Sequence, residues 1–178
     1  MQDSMERSNS KMKSSLVLTM TLALAMHQGL AFGESIASCK DPEGKAYFSF
    51  LGNIKKSSTG WDNDKITGGI TSLQLTDGEL DITFTDNRKQ IFSTKSEGGS
   101  VSLVRIGPNN FSVLVYYENN TIEVYTFIKE NDGQQIMHQL QSKGGLGLIH
   151  KSSVMISKCD YINFDRINWI VTGKEKIK

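Results

Sequence analysis

The sequence predicts an all-β protein whose single domain is an antiparallel up-and-down meander of about nine strands. Between Ala46 and Cys159, short segments of alternating apolar and polar residues recur, and clusters of Gly, Asn, Asp and Ser separate them. Alternation with a period of two is the pattern of a half-buried strand, and the clusters are typical of hairpin turns. No segment between these limits shows a helical period. The pattern therefore predicts antiparallel strands that are joined in chain order.

Residues 101–140 show this pattern over the longest stretch, and the strongest single hairpin signal lies upstream at Asp77-Gly78. An Asp-Gly pair suits a two-residue turn in which both positions need a positive φ. In the strand that follows, Leu80, Ile82 and Phe84 share one face and polar residues occupy the other, which predicts one buried face and one wet face. The predicted strands are 45–51, 70–76, 79–85, 89–95, 100–106, 111–118, 121–129, 134–141 and 153–159.

Four stretches do not fit the strand pattern. Residues 39–44 contain Asp-Pro-Glu-Gly and predict a turn. Residues 52–69 and 142–152 are rich in Gly and Ser and predict two long loops. Residues 160–178 fit either a further strand or a short helix laid over the barrel, and they end in a flexible C-terminal tail.

The only two cysteines, Cys39 and Cys159, lie at the two ends of the β-rich region. In an oxidising compartment they predict one disulfide that ties the first strand to the last. An up-and-down sheet has to hide its edges by closing into a barrel or by folding into a two-layer sandwich. Because the disulfide brings the two ends together, it favours a closed barrel over a sandwich.

In strand count and connectivity, such a closed barrel resembles the lipocalins, which carry small apolar ligands. The Gly-x-Trp motif that lipocalins have near the first strand is missing. Gly60 and Trp61 are adjacent and lie in a predicted loop. We therefore assign no family.

Residues 1–33 are predicted to be a signal peptide. Lys11 and Lys13 precede an uncharged apolar run at 16–26, and an Ala-Phe-Gly triplet ending at Gly33 supplies a small-x-small cleavage site. The run is about half of the ~20 residues that a membrane-spanning helix needs. We expect export to the periplasm or the extracellular space after cleavage near Gly33, with no transmembrane segment in the mature chain.

A lipoprotein anchored at Cys39 is the alternative, because the Ile-Ala-Ser sequence before this cysteine resembles a lipobox. Two observations favour the disulfide instead. The polar residues Glu34 and Ser35 separate the motif from the apolar run, and lipidation of Cys39 would leave Cys159 without a partner.

Removal of the first 33 of the 178 residues leaves 145, which suits one domain at 34–178 with a sizeable core. The removed segment carries three of the 20 Lys and Arg and two of the 19 Asp and Glu, so 17 of each sign remain. A neutral chain has no basic field to displace counterions from phosphates. This balance argues against nucleic acid as a partner.

Three residues are candidates for ligand binding. Trp61 lies in the first long loop and suits either stacking on a ligand or capping of the core. His138 shares a predicted strand face with Ile136 and Leu140, where a histidine is either a ligand contact or a hydrogen-bonded core or rim residue. His150 lies in the second, glycine-rich loop.

The sequence motifs argue against a metal, a cofactor and catalysis. Asp62 and Asp64 could supply oxygens to Ca²⁺, but Leu73 stands where an EF-hand loop requires a bidentate Glu. Neither histidine has a second ligand at metal spacing, and G-x-S-x-G and S-x-x-K are absent from 34–178. We therefore expect no metal site, no cofactor and no enzymatic activity.

The function that these observations predict is binding of a small, partly apolar ligand in the interior or mouth of an exported barrel, with the two long loops as lids. The alternative is a protein-interaction module that uses an outer face of the sheet. The aromatic residues at 116–117 and 125–127 motivate this alternative, because they would place apolar surface outside as well as inside.

Overall fold

The fold is one antiparallel sheet that curls into a half-barrel, with one short helix, α1, at Phe164–Val171. The computed structural model describes residues 33–118, 121–144 and 149–173. The predicted signal peptide, apart from Gly33, and the end of the predicted tail lie outside the described residues. The strands are β1 (Glu34–Phe48), β2 (Gly60–Lys65), β3 (Ile70–Thr76), β4 (Glu79–Thr85), β5 (Ile91–Ser93), β6 (Gly99–Gly107), β7 (Asn110–Tyr117), β8 (Thr121–Lys129), β9 (Gln135–Lys143) and β10 (Lys151–Ile162).

The order of the strands in the sheet is β5-β4-β3-β1-β10-β9-β8-β7-β6. Every neighbouring pair in this order is antiparallel. β10 pairs with one edge of β1. The other edge pairs with β3 along the first part of β1 and with β2 along the second part. The predicted all-β fold is therefore confirmed, and antiparallel hairpins join β3 to β4, β4 to β5 and each consecutive pair from β6 to β10.

The predicted disulfide is present. Cys39 on β1 lies directly opposite Cys159 on β10, and their sulfurs are bonded across 120 positions of sequence. The Cys39 sulfur is therefore not available for a thioether to lipid. The first and last strands meet in the middle of the sheet, as the disulfide prediction required.

Closure of the barrel is not confirmed, because β5 and β6 end the sheet and do not pair with each other. β5 is only three residues long and gives a ladder too short to bring β6 alongside it. The chain instead crosses the gap in a tight turn, in which the Gly99 amide donates to the Thr94 carbonyl at 2.8 Å. The result is an open half-barrel.

β1 begins at Glu34, so residues 39–44, which predicted a turn, lie inside a strand. The chain accommodates Asp41 and Pro42 as a bulge, since the register with β10 shifts between Lys40 and Glu43 and Asp41 has φ 52°. A bulge tolerates a proline because it makes no ladder hydrogen bond there. The predicted loop 52–69 also contains strand β2.

Helix α1 covers one end of the half-barrel, and the predicted tail from residue 160 first completes β10 and then forms this helix. Asn163 begins the helix, and its side-chain oxygen accepts a hydrogen bond from the Arg166 amide at 3.0 Å. Ile167 and Ile170 are buried, and Phe164 packs edge-to-face on Phe111 with ring centroids 5.7 Å apart. Helix α1 is too short to cross a bilayer, and the described residues contain no helix that is long and apolar enough to do so.

The core fills the concave side of the sheet beneath this helix. Its largest fully buried residues come from strands on both sides of the half-barrel and include Ile36, Leu73, Phe111, Phe127 and Met137. Phe111 and Phe127 stack with centroids 4.9 Å apart. The apolar packing ends before the opposite end of the half-barrel, where polar side chains point inward.

Candidate functional site

A pocket of about 220 Å³ opens on the concave face of the half-barrel, away from helix α1. Residues of β3, β4 and β5 form one side of the pocket, and residues of β7, β8 and β9 form the other. The curl of the sheet brings these strands together although they are far apart in the strand order. The pocket is therefore a product of the tertiary fold.

One wall of the pocket is apolar. Ile82 and Phe84 face it from β4, because alternate residues of a strand point to the same side. Phe92 of β5 and Ile66, in the turn before β3, complete this wall. Ile82 is buried, whereas Phe92 is partly exposed at the mouth.

The opposite wall is a network of polar side chains on β8 and β9. Glu123 lies directly opposite Gln141, and Tyr125 lies opposite Gln139. The Tyr125 hydroxyl donates to Glu123 at 2.6 Å, and the Gln141 amide donates to the other carboxylate oxygen. The Gln139 amide donates to the Tyr125 hydroxyl at 3.0 Å. Register and alternation together place all four side chains in one cluster.

Two of the four residues of this network are buried, and Gln139 and Gln141 are partly exposed. Glu123 is 7% exposed and Tyr125 is 5% exposed. Burial, followed by the charge of Glu123 and the hydrogen bond to it, raises the pKa of Tyr125 well above its ordinary value. The phenol therefore stays protonated at neutral pH and acts as a hydrogen-bond donor to the carboxylate.

The charge of Glu123 is not balanced by a basic side chain within the described part of the chain. Both donors to its carboxylate are neutral, and no ion pair to it is formed there. Two acidic residues, Glu97 and Glu123, line the pocket, and no described lining residue is basic. The pocket therefore has a negative electrostatic potential.

Side chains from β7 and from the turn after β5 close the gap between the two ends of the sheet near the pocket. Thr94 is buried, and its hydroxyl lies 3.3 Å from the Tyr117 hydroxyl. Burial raises the pKa of Tyr117 as well. Gly99 packs under this tyrosine, where an added Cβ would come within 2.7 Å of the ring. The open edge is thus covered by side chains instead of a backbone ladder.

The three residues predicted from the sequence as ligand contacts do not line this pocket. His138 alternates with the inward-facing Met137 and Gln139 and therefore lies on the convex face, opposite Thr126 and Ile156. The His150 backbone carbonyl accepts from the Ser49 amide at 3.1 Å.

Trp61 lies on β2 instead of in a loop, is 67% exposed and packs edge-to-face on Tyr47 at 5.5 Å. It lines a shallow depression of about 310 Å³ on the convex face, together with Ile122 and Leu140. Neither His138 nor His150 lines this depression. The fold therefore does not gather the three predicted residues into one site.

The carboxylates of the Asp62–Asp64 motif are each engaged by another group of the protein. Asp62 accepts from the Asn63 amide at 2.7 Å, and Asp64 pairs with Lys151 at 2.7 Å. In the ranges that the structure describes, no group of three or more His, Cys, Asp or Glu side chains is placed to hold a metal ion.

A larger groove of about 740 Å³ lies beside the bulge in β1. Its charged side chains are mostly exposed and form ion pairs, such as Lys65–Glu43 at 2.8 Å and Lys40–Asp160 at 2.7 Å. Exposed pairs of this kind leave no concentrated charge for a ligand. The concave pocket is the smaller of the two, but only there does a buried charge meet an apolar wall.

Sequence analysis did not identify Glu123, Tyr125, Gln139 or Gln141. The alternation in β8 and β9 is clear, but it does not show which face is buried. One signal was available: Glu123 shares its face with the aromatic residues Tyr125 and Phe127, whereas the other face carries aliphatic residues. Large aromatic side chains are a good indication of the interior.

These features define the class of the protein as an all-β fold in which one curled antiparallel sheet encloses a pocket on its concave face. Comparison with protein-family models, with curated proteins and with solved structures gave no match for this chain.

Proposed function

We propose that the half-barrel is a non-catalytic binding protein that takes a small, partly apolar ligand in its concave pocket. The observation that carries the proposal is the pairing of an apolar wall around Phe84 with a buried hydrogen-bonding network around Glu123. Small-molecule sites are typically concave and apolar, with a few fixed polar groups that set the orientation of the ligand.

The volume of the pocket limits the size of the ligand. A cavity of about 150 Å³ holds benzene. A pocket of about 220 Å³ therefore suits a ligand of roughly ten non-hydrogen atoms. Part of the ligand would contact Ile82 and Phe84, and its polar end would face β8 and β9.

A titration with two probes of this size tests the proposal. We expect 2-phenylethanol or 2-phenylethylamine to cause saturable amide chemical-shift changes in labelled protein, centred on β4 and β8. The variant Ile66→Trp fills the pocket and abolishes these changes. The matched variant Ile122→Trp places the same side chain on the convex face and leaves binding intact. Failure of both probes to bind, or equal binding to Ile66→Trp, would overturn the proposal.

An exported location belongs to the same proposal. The Cys39–Cys159 disulfide supports it, because disulfides persist in oxidising compartments. The intact mass of the protein from its native source tests this point. We expect a chain that begins near Glu34 and is two hydrogens lighter than its fully reduced form. A chain that retains residues 1–33 would contradict signal cleavage.

A protein-interaction role for the convex face is a second candidate. Leu140 lies directly opposite Val154, and both are nearly half exposed. Trp61 extends the same apolar surface. A contiguous apolar patch on a sheet face suits a protein partner. Sedimentation of wild type and Leu140→Glu tests this role: we expect self-association in the wild type only, and a monomer in both would contradict association of like copies.

A further inference from the structure

We propose that the ligand of the concave pocket is a small organic cation, a protonated amine on an apolar body, and that the Glu123 carboxylate holds its ammonium group. This inference rests on the proposed binding function and names the chemical class of the ligand.

The first argument is the state of the Glu123 carboxylate. A buried carboxylate is costly unless it is paired and hydrogen-bonded. Tyr125 and Gln141 each donate one hydrogen bond to it, whereas an ionised carboxylate can accept about four. No described basic side chain lines the pocket to supply the missing positive charge. A ligand ammonium group would supply both the charge and the remaining donors.

The second argument is the aromatic lining. Phe84, Phe92, Tyr117 and Tyr125 all line the pocket. The faces of aromatic rings attract cations, and the interaction is stronger where water is excluded. The same rings offer an apolar surface to the rest of the ligand. An anion would meet Glu123 and Glu97 instead and would be repelled.

The third argument is the asymmetry of the pocket. The carboxylate lies on the wall formed by β8 and β9, and the apolar side chains Ile82 and Phe84 lie on the wall formed by β3 to β5. A ligand with a charged head and an apolar body can therefore satisfy both walls in one orientation. A compound that is polar throughout would leave the apolar wall without a partner.

Three probes of matched size and different charge test the inference on the wild-type protein. These are 2-phenylethylamine as the cation, 2-phenylethanol as the neutral analogue and phenylacetate as the anion. From the strength of hydrogen bonds to charged groups, we expect the cation to bind at least about tenfold more tightly than the alcohol. Phenylacetate is expected to bind weakest of the three.

The variant Glu123→Gln tests the role assigned to Glu123. It keeps an oxygen that can accept from Tyr125 but removes the charge. We expect the preference for the cation over the alcohol to disappear, because the charge that distinguishes the two probes is gone. Glu130→Gln is the matched control, because Glu130 lies in the exposed turn after β8 and does not line the pocket. This control is expected to keep the wild-type preference.

The outcomes separate the two proposals. Equal affinity of the cation and the alcohol for the wild type would overturn the inference and leave the binding function standing. Failure of all three probes would overturn both. If Glu123→Gln folded and kept the cation preference, Glu123 would not be the counter-ion. The comparison in the wild type decides the ligand class even if this variant does not fold.

Discussion

Glu123 and Tyr125, two residues apart on β8, are both buried and are joined by a hydrogen bond of 2.6 Å from the phenol to the carboxylate. Because alternate residues of a strand share a face, this pair points into the concave pocket as one unit. The pair therefore links the stability of the half-barrel to the chemistry of the pocket.

Loss of this hydrogen bond is expected to destabilise the fold. Tyr125→Phe leaves the buried carboxylate with fewer donors, and we expect the free energy of unfolding to fall by about 1–3 kcal/mol. Chemical denaturation measures the change. Tyr116→Phe is the matched control, because Tyr116 is 46% exposed on the convex face. It is expected to change stability by less than about 0.5 kcal/mol. Equal effects of the two substitutions would contradict the role of the buried pair.

Alkaline pH is expected to destabilise the protein through Tyr125. Its pKa in the folded state is raised well above the ordinary value of 10.0 by burial and by Glu123. The folded state therefore binds its proton more tightly than the unfolded state does. The associated stability is fully present below pH 10 and is lost as pH rises from 10 through the folded-state pKa.

Denaturation at a series of pH values from 8 upward measures this loss, with pH 8 chosen to lie about two units below the ordinary tyrosine pKa. We expect wild type to lose stability more steeply above pH 10 than Tyr125→Phe does. The residual loss in the variant combines Tyr117, whose pKa burial also raises, with Lys40 and Lys65, whose pKa values are raised by hydrogen bonds to Asp160 and Glu43. Parallel pH profiles for the two proteins would contradict the linkage.

Removal of the disulfide is expected to be costly. Cys39 and Cys159 are 120 positions apart, and a closed loop of that length contributes about 4–5 kcal/mol in the chain-entropy model. The double variant Cys39→Ser/Cys159→Ser should lose that much free energy of unfolding in a urea titration. Wild type under reducing conditions should match the variant. A reduced wild type as stable as the oxidised form would contradict the prediction.

Gly44 on β1 is expected to tolerate no side chain. A Cβ at this position would collide with the backbone carbonyl of Val154 on β10. Backbone cannot move aside as a flexible side chain can, so we expect Gly44→Ala to cost about 1–3 kcal/mol in thermal or chemical unfolding. Lys45→Ala, at the exposed neighbouring position, is the control and should stay within about 0.5 kcal/mol of wild type. If Gly44→Ala left the free energy of unfolding unchanged, β1 and β10 would have to lie farther apart at this position than the structure shows.

Local chemistry was enough to predict several features of the fold. The Asp77-Gly78 hairpin is present between β3 and β4, and both of its residues have positive φ, as the Asp-Gly pair requires. The two cysteines predicted the pairing of β1 with β10. These features depend on a few adjacent residues, or on a bond that only one pair of residues can form.

Strand β2 shows where local reasoning was insufficient. Residues 60–65 read as loop because they are rich in Asp and Asn, which are poor strand formers. They form a strand because the second half of β1 offers them an unpaired edge, from Glu43 to Phe48. Pairing with β1, from Phe48 opposite Gly60 to Glu43 opposite Lys65, overrides the weak local propensity of these residues.

The sequence by itself therefore determined the alternation of apolar and polar residues, the positions of turns and the disulfide between the first and last strands. It did not determine which face of β8 is buried. On β8, Ile122 is 46% exposed and Glu123 is 7% exposed, the reverse of their hydropathy. Alternation with a period of two sorts the residues of a strand into two faces but does not show which face is buried. Only the tertiary structure decided the matter, because the direction in which the sheet curls determines which face becomes concave. That curl placed a carboxylate in the interior and left an aliphatic row outside.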